Sequence, residues 1–287
     1  ANLFYEQGKF EQAYMQLQQT SKSRELTREE LDWYGRHSLA LGCFKEAVGI
    51  YRKLVELTPR NQGYWCLLST ALRQVDFEQY KALCCYEDLV FIIDLDAPDG
   101  YSTIEEFNQA LMKELSSVHV TQQHPLEQSL IGGTQTLGRI FNYENEIFNL
   151  AQTAFRETIN TALAKIEQHE EHPTKRHANA DFDFIGAWSV WLKAAGYHKD
   201  HYHSEGWYSG VYYIQTPDDK ELCNGAGYLK FGEADLSLPI EQGPDFCIKP
   251  KAGQMVLFPS FIWHGTLPFS SNTPRVSIAF DIAPQLT

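Results

Sequence analysis

The run His198-Lys199-Asp200-His201-Tyr202-His203-Ser204 sets three imidazoles beside a carboxylate, and a fourth imidazole, His264, follows much later in Phe258-Pro259-Ser260-Phe261-Ile262-Trp263-His264-Gly265. Neutral imidazole is the commonest protein ligand for a transition metal. In an extended strand alternate side chains share a face, so His201 and His203 point one way while Asp200 and Tyr202 point the other. Two imidazoles on one strand and a third from a distant strand make a facial set that leaves coordination positions open. Open positions on one side of the metal are what oxygen-activating iron requires. A structural zinc would close four ligands, and the sequence offers no suitably spaced fourth cysteine or histidine. Two overlapping patterns stay open beside this one, His198-x-Asp200 and His203-x-Glu205, each of which would put a carboxylate on the metal and cut its net charge. Beyond His264 lies Arg275, in the run Arg275-Val276-Ser277-Ile278. Alternation places Arg275 and Ser277 on one face, where a guanidinium can clamp a carboxylate through two parallel hydrogen bonds with a hydroxyl adding a third.

The elements that must position these residues are strands. Ala187–Lys193, Ser209–Thr216, Gly227–Phe231, Gly253–Pro259 and Arg275–Ile282 are short β-rich runs separated by Gly, Pro, Asp and Asn, the pattern of an antiparallel sandwich or barrel. The run Val90–Asp94 has the apolar density of a buried strand. Helical patterning covers Ile104–Leu115 and Glu144–Glu167, with Ile147, Leu150, Ala151, Ala154, Ala162, Leu163 and Ile166 on one stripe. Between helix and strands, the polar stretch 168–181 carries His169, His172 and His177, which read as a solvated loop. Trp188, Trp191, Trp207 and Trp263 read first as core or rim packing.

The front of the chain repeats. Gly8, Phe10 and Ala13 recur as Gly42, Phe44 and Ala47 at a common displacement of 34, which also relates Leu31 to Trp65. A small residue, an aromatic and an alanine at that period are the tetratricopeptide signature, in which stacked helix pairs bury faces that none buries alone. Pro59 ends its helix, and a third copy is worn, with Asp76, Phe77 and Ala82 each one position off register. The chain therefore divides into tetratricopeptide-like repeats over 1–90 and an α+β domain over 91–287, with a helical lead-in at 101–167 and a β-core at 182–284.

Composition bounds the partners. The chain has 287 residues, 43% hydrophobic and 21% charged, enough apolar material for a core. No uninterrupted apolar stretch reaches the roughly 18 residues of a membrane span. A net charge of −13 disfavours nucleic acid and anionic membrane as partners. Cys43, Cys66, Cys84, Cys85, Cys223 and Cys247 form no CxxC pair. With no basic n-region or apolar core at the front, they read as reduced thiols of a cytoplasmic protein. The sequence opens inside a helical pattern, so it is expected to be a piece of a longer chain.

The blocks HYHSEGWYSGVYYI, GYLKFGE, AGQMVLFPSFIWHGTLPF and RVSIAFDI, with the GGTQT segment at Gly132–Thr136, resemble the iron(II)/2-oxoglutarate oxygenases that carry N-terminal tetratricopeptide repeats. The resemblance spans most of the chain and is densest over 185–284. It implies a double-stranded β-helix, or jelly roll, with Fe(II) in its mouth and 2-oxoglutarate as co-substrate. His201 and His203 match the family's proximal ligands and His264 its distal one, although the wider superfamily uses His-x-Asp/Glu. Arg275 would hold the far carboxylate of 2-oxoglutarate, with Ser277 beside it, and Tyr213 matches a tyrosine used for the same carboxylate in prolyl-hydroxylase-like relatives. Glu205, Trp207 and Tyr208 follow the ligand pair closely enough to line a substrate mouth. The implied reaction consumes O2, hydroxylates a small molecule or a protein, and releases succinate and CO2, while the repeats offer a groove for a protein or peptide partner. Two other readings remain: a three-histidine cupin-type dioxygenase that uses no 2-oxoglutarate, and a non-enzymatic repeat scaffold with a degenerate jelly roll.

Overall fold

In the computed structural model the described residues are 8–119, 129–136, 139–218 and 220–285. The front folds as helices α1 (Phe10–Ser23), α2 (Arg28–Ala40), α3 (Phe44–Leu57), α4 (Gln62–Val75) and α5 (Phe77–Cys84), then a single turn, α6 (Tyr86–Leu89). Thr27 caps α2 by accepting from the Glu30 N–H while the Glu30 carboxylate accepts from the Thr27 N–H, which satisfies two otherwise orphaned donors. Asn61 and Asp76 cap α4 and α5 in the simpler way. Gly8 and Gly42 both take positive φ two residues before a helix begins, a turn that favours glycine. Helix starts at 10 and 28 recur at 44 and 62, the displacement of 34 seen in the sequence.

The back of the chain supplies β1 (Phe91–Asp94), α7 (Ile104–Val118), β2 (Leu130–Gln135), α8 (Glu146–Leu163), β3 (Phe182–His198) and β4 (Tyr208–Gln215). It continues with β5 (Leu229–Phe231), β6 (Phe246–Ile248), β7 (Gln254–Pro259), β8 (His264–Thr266) and β9 (Arg275–Pro284). The described strands pair antiparallel in a large sheet of order β1-β7-β4-β9-β3-β2 and a small one of order β6-β5-β8. Helices α7 and α8 cover one face of the large sheet, where Phe107, Leu111, Phe148 and Phe155 share a core with Tyr208, Tyr212, Leu257 and Ile278. The period of two sends Ser209, Val211 and Tyr213 of β4, and Arg275 and Ser277 of β9, to the opposite face. There the small sheet stands, and a cavity lies between the two.

The run at 90–94 forms an edge strand with alternating exposure, Ile92 being 49% exposed, so it is buried on one face only. The GGTQT segment, to which the sequence assigned no element, lies largely in strand β2. A Cβ on Gly132 would stand 2.9 Å from Gly196 Cα, and one on Gly133 would stand 2.5 Å from the Trp191 carbonyl, so the glycines permit close backbone approach to β3. Residue 90 marks a change of element type without a break in packing. One apolar cluster runs from Tyr51, Leu67 and Ala71 of the helices into Phe231, Phe258, Phe261 and Trp263. Polar bonds cross the same seam: Trp263 Nε1 donates to Thr70 Oγ1 (2.9 Å), Arg36 to the Tyr202 hydroxyl (3.2 Å), and Arg73 to the Gly232 carbonyl (2.9 Å).

The stretch 168–181 also departs from a solvated loop, because His172 is buried. Its Nδ1 accepts from the Thr174 and Lys175 N–H groups (both 3.1 Å), so Nε2 carries the proton and donates to the Leu83 carbonyl in α5 (2.9 Å). Protonating Nδ1 would break two bonds, and burial pushes this imidazole down to about 4. A folded value below the unfolded one of about 6.5 means that the unfolded chain binds the extra proton. This contribution is complete above pH 6.5 and is lost as pH falls from 6.5 towards 4. Thermal melts between pH 7 and 4.5 should show a stability loss, attributable to this site, of roughly 2 kcal/mol at the acid end; the His172→Gln variant should lack it, and equal slopes would contradict the assignment.

Candidate metal centre

Strand β3 ends at His198, and the chain then turns along β8. His201 N and His264 N each donate to the other's carbonyl at 2.9 Å in an isolated antiparallel bridge, and His203 N donates to the Ser260 carbonyl at 2.9 Å. The candidate pair His201 and His203 therefore sits in a tethered loop, whereas the sequence suggested a strand. The side chains still converge. The ring centroids of His201 and His264 are 4.3 Å apart, each lies 5.2 Å from that of His203, and one nitrogen from each ring lies within 4.8 Å of the others.

Hydrogen bonding fixes which nitrogen is offered. His201 Nδ1 meets the Lys199 carbonyl at 2.7 Å, His264 Nδ1 the Ile262 carbonyl at 2.9 Å, and His203 Nδ1 the Asp281 carboxylate at 2.6 Å. Carbonyl and carboxylate oxygens only accept, so each Nδ1 holds the proton and each Nε2 keeps a free lone pair. Burial, followed by the neighbouring imidazoles, pushes His201 down to about 4 and His264 well below its ordinary value. Both are neutral at physiological pH, the protonation state a metal needs. The donor set therefore fits a divalent transition metal with three nitrogen ligands on one side.

Neither carboxylate alternative joins the cluster of three imidazoles. Asp200 accepts from Lys230 Nζ at 2.7 Å, and Lys230 also bonds Glu233 at 2.6 Å. Glu205 is exposed and lies outside the cavity lining.

The cavity beside the triad has a volume of about 510 Å³ and draws its walls from both sheets, including Val211, Leu229, Phe258, Thr266 and Ser277. Arg275 is 3% exposed at its floor, donating to the Gly227 carbonyl (3.0 Å) and Thr266 Oγ1 (3.1 Å), with its guanidinium carbon 5.6 Å from the Tyr213 ring centroid. Arg275 Nε and the Tyr213 hydroxyl are buried with no hydrogen-bond partner among the described residues. Burial raises the Tyr213 phenol above its ordinary value, so it stays protonated and can donate. A buried cation and two orphaned donors in one cavity are suited to a carboxylate.

The other expected residues lie elsewhere. Trp207 is buried, donating from Nε1 to the Thr174 carbonyl at 3.0 Å, and Tyr208 packs in the α7/α8 core. Strand phase explains the correction for Tyr208: Ser209, Val211 and Tyr213 take the cavity face of β4, which turns 208 away. Trp188, expected as packing, lines the cavity and stacks on His203 with centroids 6.0 Å apart. Sequence reasoning weighed His198 only within the His198-x-Asp200 pattern, whereas it is a cavity residue bonded to Ser129 Oγ at 3.1 Å, and it did not weigh Asp281. Extending the alternation of Arg275 and Ser277 along β9 reaches 281 and would have found that residue.

Residues 186–281 match the family described as "Putative 2OG-Fe(II) oxygenase", and the match contains His201, His203, His264 and Arg275. No curated protein matches the sequence. Among solved structures, the collagen prolyl hydroxylase of Paramecium bursaria Chlorella virus-1, solved with 2OG, is 16% identical over 68% of this chain and 96% of its own, with a TM-score of 0.45. A Pseudomonas putida prolyl-4-hydroxylase is 16% identical over 71% of this chain and 98% of its own, also at 0.45. HygX from Streptomyces hygroscopicus, solved with nickel, 2-oxoglutarate and hygromycin B, is 10% identical over 70% and 86%, at 0.46.

Proposed function

We propose that this chain, whose residues 186–281 carry a 2OG-Fe(II) oxygenase domain, is an iron(II)- and 2-oxoglutarate-dependent dioxygenase that hydroxylates a C–H bond of its substrate. One observation carries the reading: three free Nε2 lone pairs converge beside a cavity whose buried Arg275 and Tyr213 still have donors to give. Bound iron(II) would supply oxygen activation, with one atom of O2 going to the decarboxylation of 2-oxoglutarate to succinate and CO2 and the other to the substrate as hydroxyl.

His201, His203 and His264 would hold the metal, their rings locked by the Nδ1 bonds. Arg275 and Tyr213 would fix the far carboxylate of 2-oxoglutarate, with Ser277 on the same wall. Phe258, Leu229 and Val211 would exclude water, which strengthens each of these polar contacts. We read the two facing sheets as a double-stranded β-helix and the helical front as tetratricopeptide-like, supported by helix starts that recur at one displacement.

Anaerobic titration with iron(II) tests the proposal. A weak visible charge-transfer band should grow to one equivalent only when 2-oxoglutarate is present, and labelled 2-oxoglutarate should yield succinate once air is admitted. Iron uptake without the band would favour a three-histidine dioxygenase that uses no keto acid, a reading the buried Arg275 argues against. A chain that takes up no iron would be a scaffold.

A further inference from the structure

Resting on the metal site just proposed, we infer that Asp281 supplies the negative charge that a carboxylate ligand would otherwise bring, delivering it through His203. Three neutral imidazoles leave a divalent ion's charge uncompensated on the protein side. Of the carboxylates beside the ligands, Asp200 is committed to Lys230 and Glu205 faces solvent. Asp281 is different. It is 9% exposed, one oxygen lies 2.6 Å from His203 Nδ1, and the other accepts from Ser209 Oγ at 2.6 Å. Ser209 Oγ in turn lies 2.9 Å from Ser260 Oγ, and Ser260 is the residue whose carbonyl holds the His203 backbone.

Among the described residues no lysine or arginine pairs with Asp281. A buried carboxylate without a cationic partner is costly, and the cation that would balance this one is a metal on the far side of the His203 ring. The carboxylate–histidine–metal relay raises the basicity of the imidazole and fixes its orientation. Asp281 is thus a positioning residue that also moves charge onto the ligand. The His-x-His departure from the His-x-Asp/Glu pattern is matched by a carboxylate one hydrogen bond further from the metal.

The test uses the chain as it stands, with iron(II) under anaerobic competition dialysis and cobalt(II) as a spectroscopic probe. Asp281→Asn keeps an oxygen for the Nδ1–H but removes the charge. It should weaken iron(II) binding about 10- to 100-fold and shift the cobalt(II) visible bands, with the apo melting temperature little changed. In the His203→Asp, Asp281→Asn double variant the carboxylate moves onto the metal, and binding should return above that of Asp281→Asn alone. His203→Asp on its own sets two carboxylates together and should bind more weakly than the double variant. Wild type and Asp281→Asn binding iron equally would overturn the inference while leaving the metal site intact. A wild type that binds no iron would overturn both.

Discussion

Replacing His264 with alanine should leave a folded chain that takes up no stoichiometric iron(II) and yields no succinate above background. His264 is the proposed ligand on the small sheet, and its ring is buried against Phe258 with centroids 4.6 Å apart. Without it, two imidazoles from one loop remain, too few to complete a facial set. Loss of a supporting group behind a ligand already costs 10- to 100-fold in affinity, so loss of the ligand itself should exceed about a thousandfold. Truncation in a packed site should cost on the order of 2–4 kcal/mol of stability, while the backbone bridge between 201 and 264 needs no side chain. Metal analysis of the purified variant, beside its apo melting temperature, checks the expectation. Iron retained at one equivalent would remove His264 from the site.

Arg275→Met should separate binding of the keto acid from binding of the metal. The guanidinium lies at the cavity floor, held by Gly227 and Thr266 with Nε uncommitted. Removing one partner of a buried, hydrogen-bonded charge pair costs roughly 2–5 kcal/mol, so the KM for 2-oxoglutarate should rise about a hundredfold or more. Iron uptake should be unchanged, because Arg275 touches none of the three imidazoles. Lysine at this position should recover only part of the loss, since an ammonium lacks the planar fork. An unchanged KM would mean that the acid binds elsewhere and that Arg275 is structural.

Much of this arrangement was legible because it rests on a period of two and on ligand chemistry. The alternation through Arg275 and Ser277 put both on the cavity wall, and the histidine spacing brought 201, 203 and 264 together. The argument failed where one register choice decided the outcome. Tyr208 lies one position from Ser209, and that single step separates core from cavity. Asp281 was legible only in part: alternation along β9 sets it on the face of Arg275 and Ser277, but its partner His203 is far away in sequence, and the 2.6 Å contact between them is a product of tertiary structure. Strand β2 was missed because glycine marks both a turn and a place where two backbones meet, and composition does not distinguish them.

The seam between helices and sheets bears on how such a chain could be recombined. Tyr202 and Trp263, each adjacent to a candidate ligand, meet edge to face at 4.9 Å, and each is bonded to the helical front, at Arg36 and Thr70 respectively. The Gln62 N–H donates to the Ser204 carbonyl at 2.9 Å, at the very start of α4. Chimeras that exchange the helical segment would have to carry matching side chains at 36 and 70 and any residue but proline at 62, because the graft line runs directly beneath the loop of the candidate ligands. The seam thus ties the helical front directly to the loop that carries His201 and His203 and to the strand that carries His264.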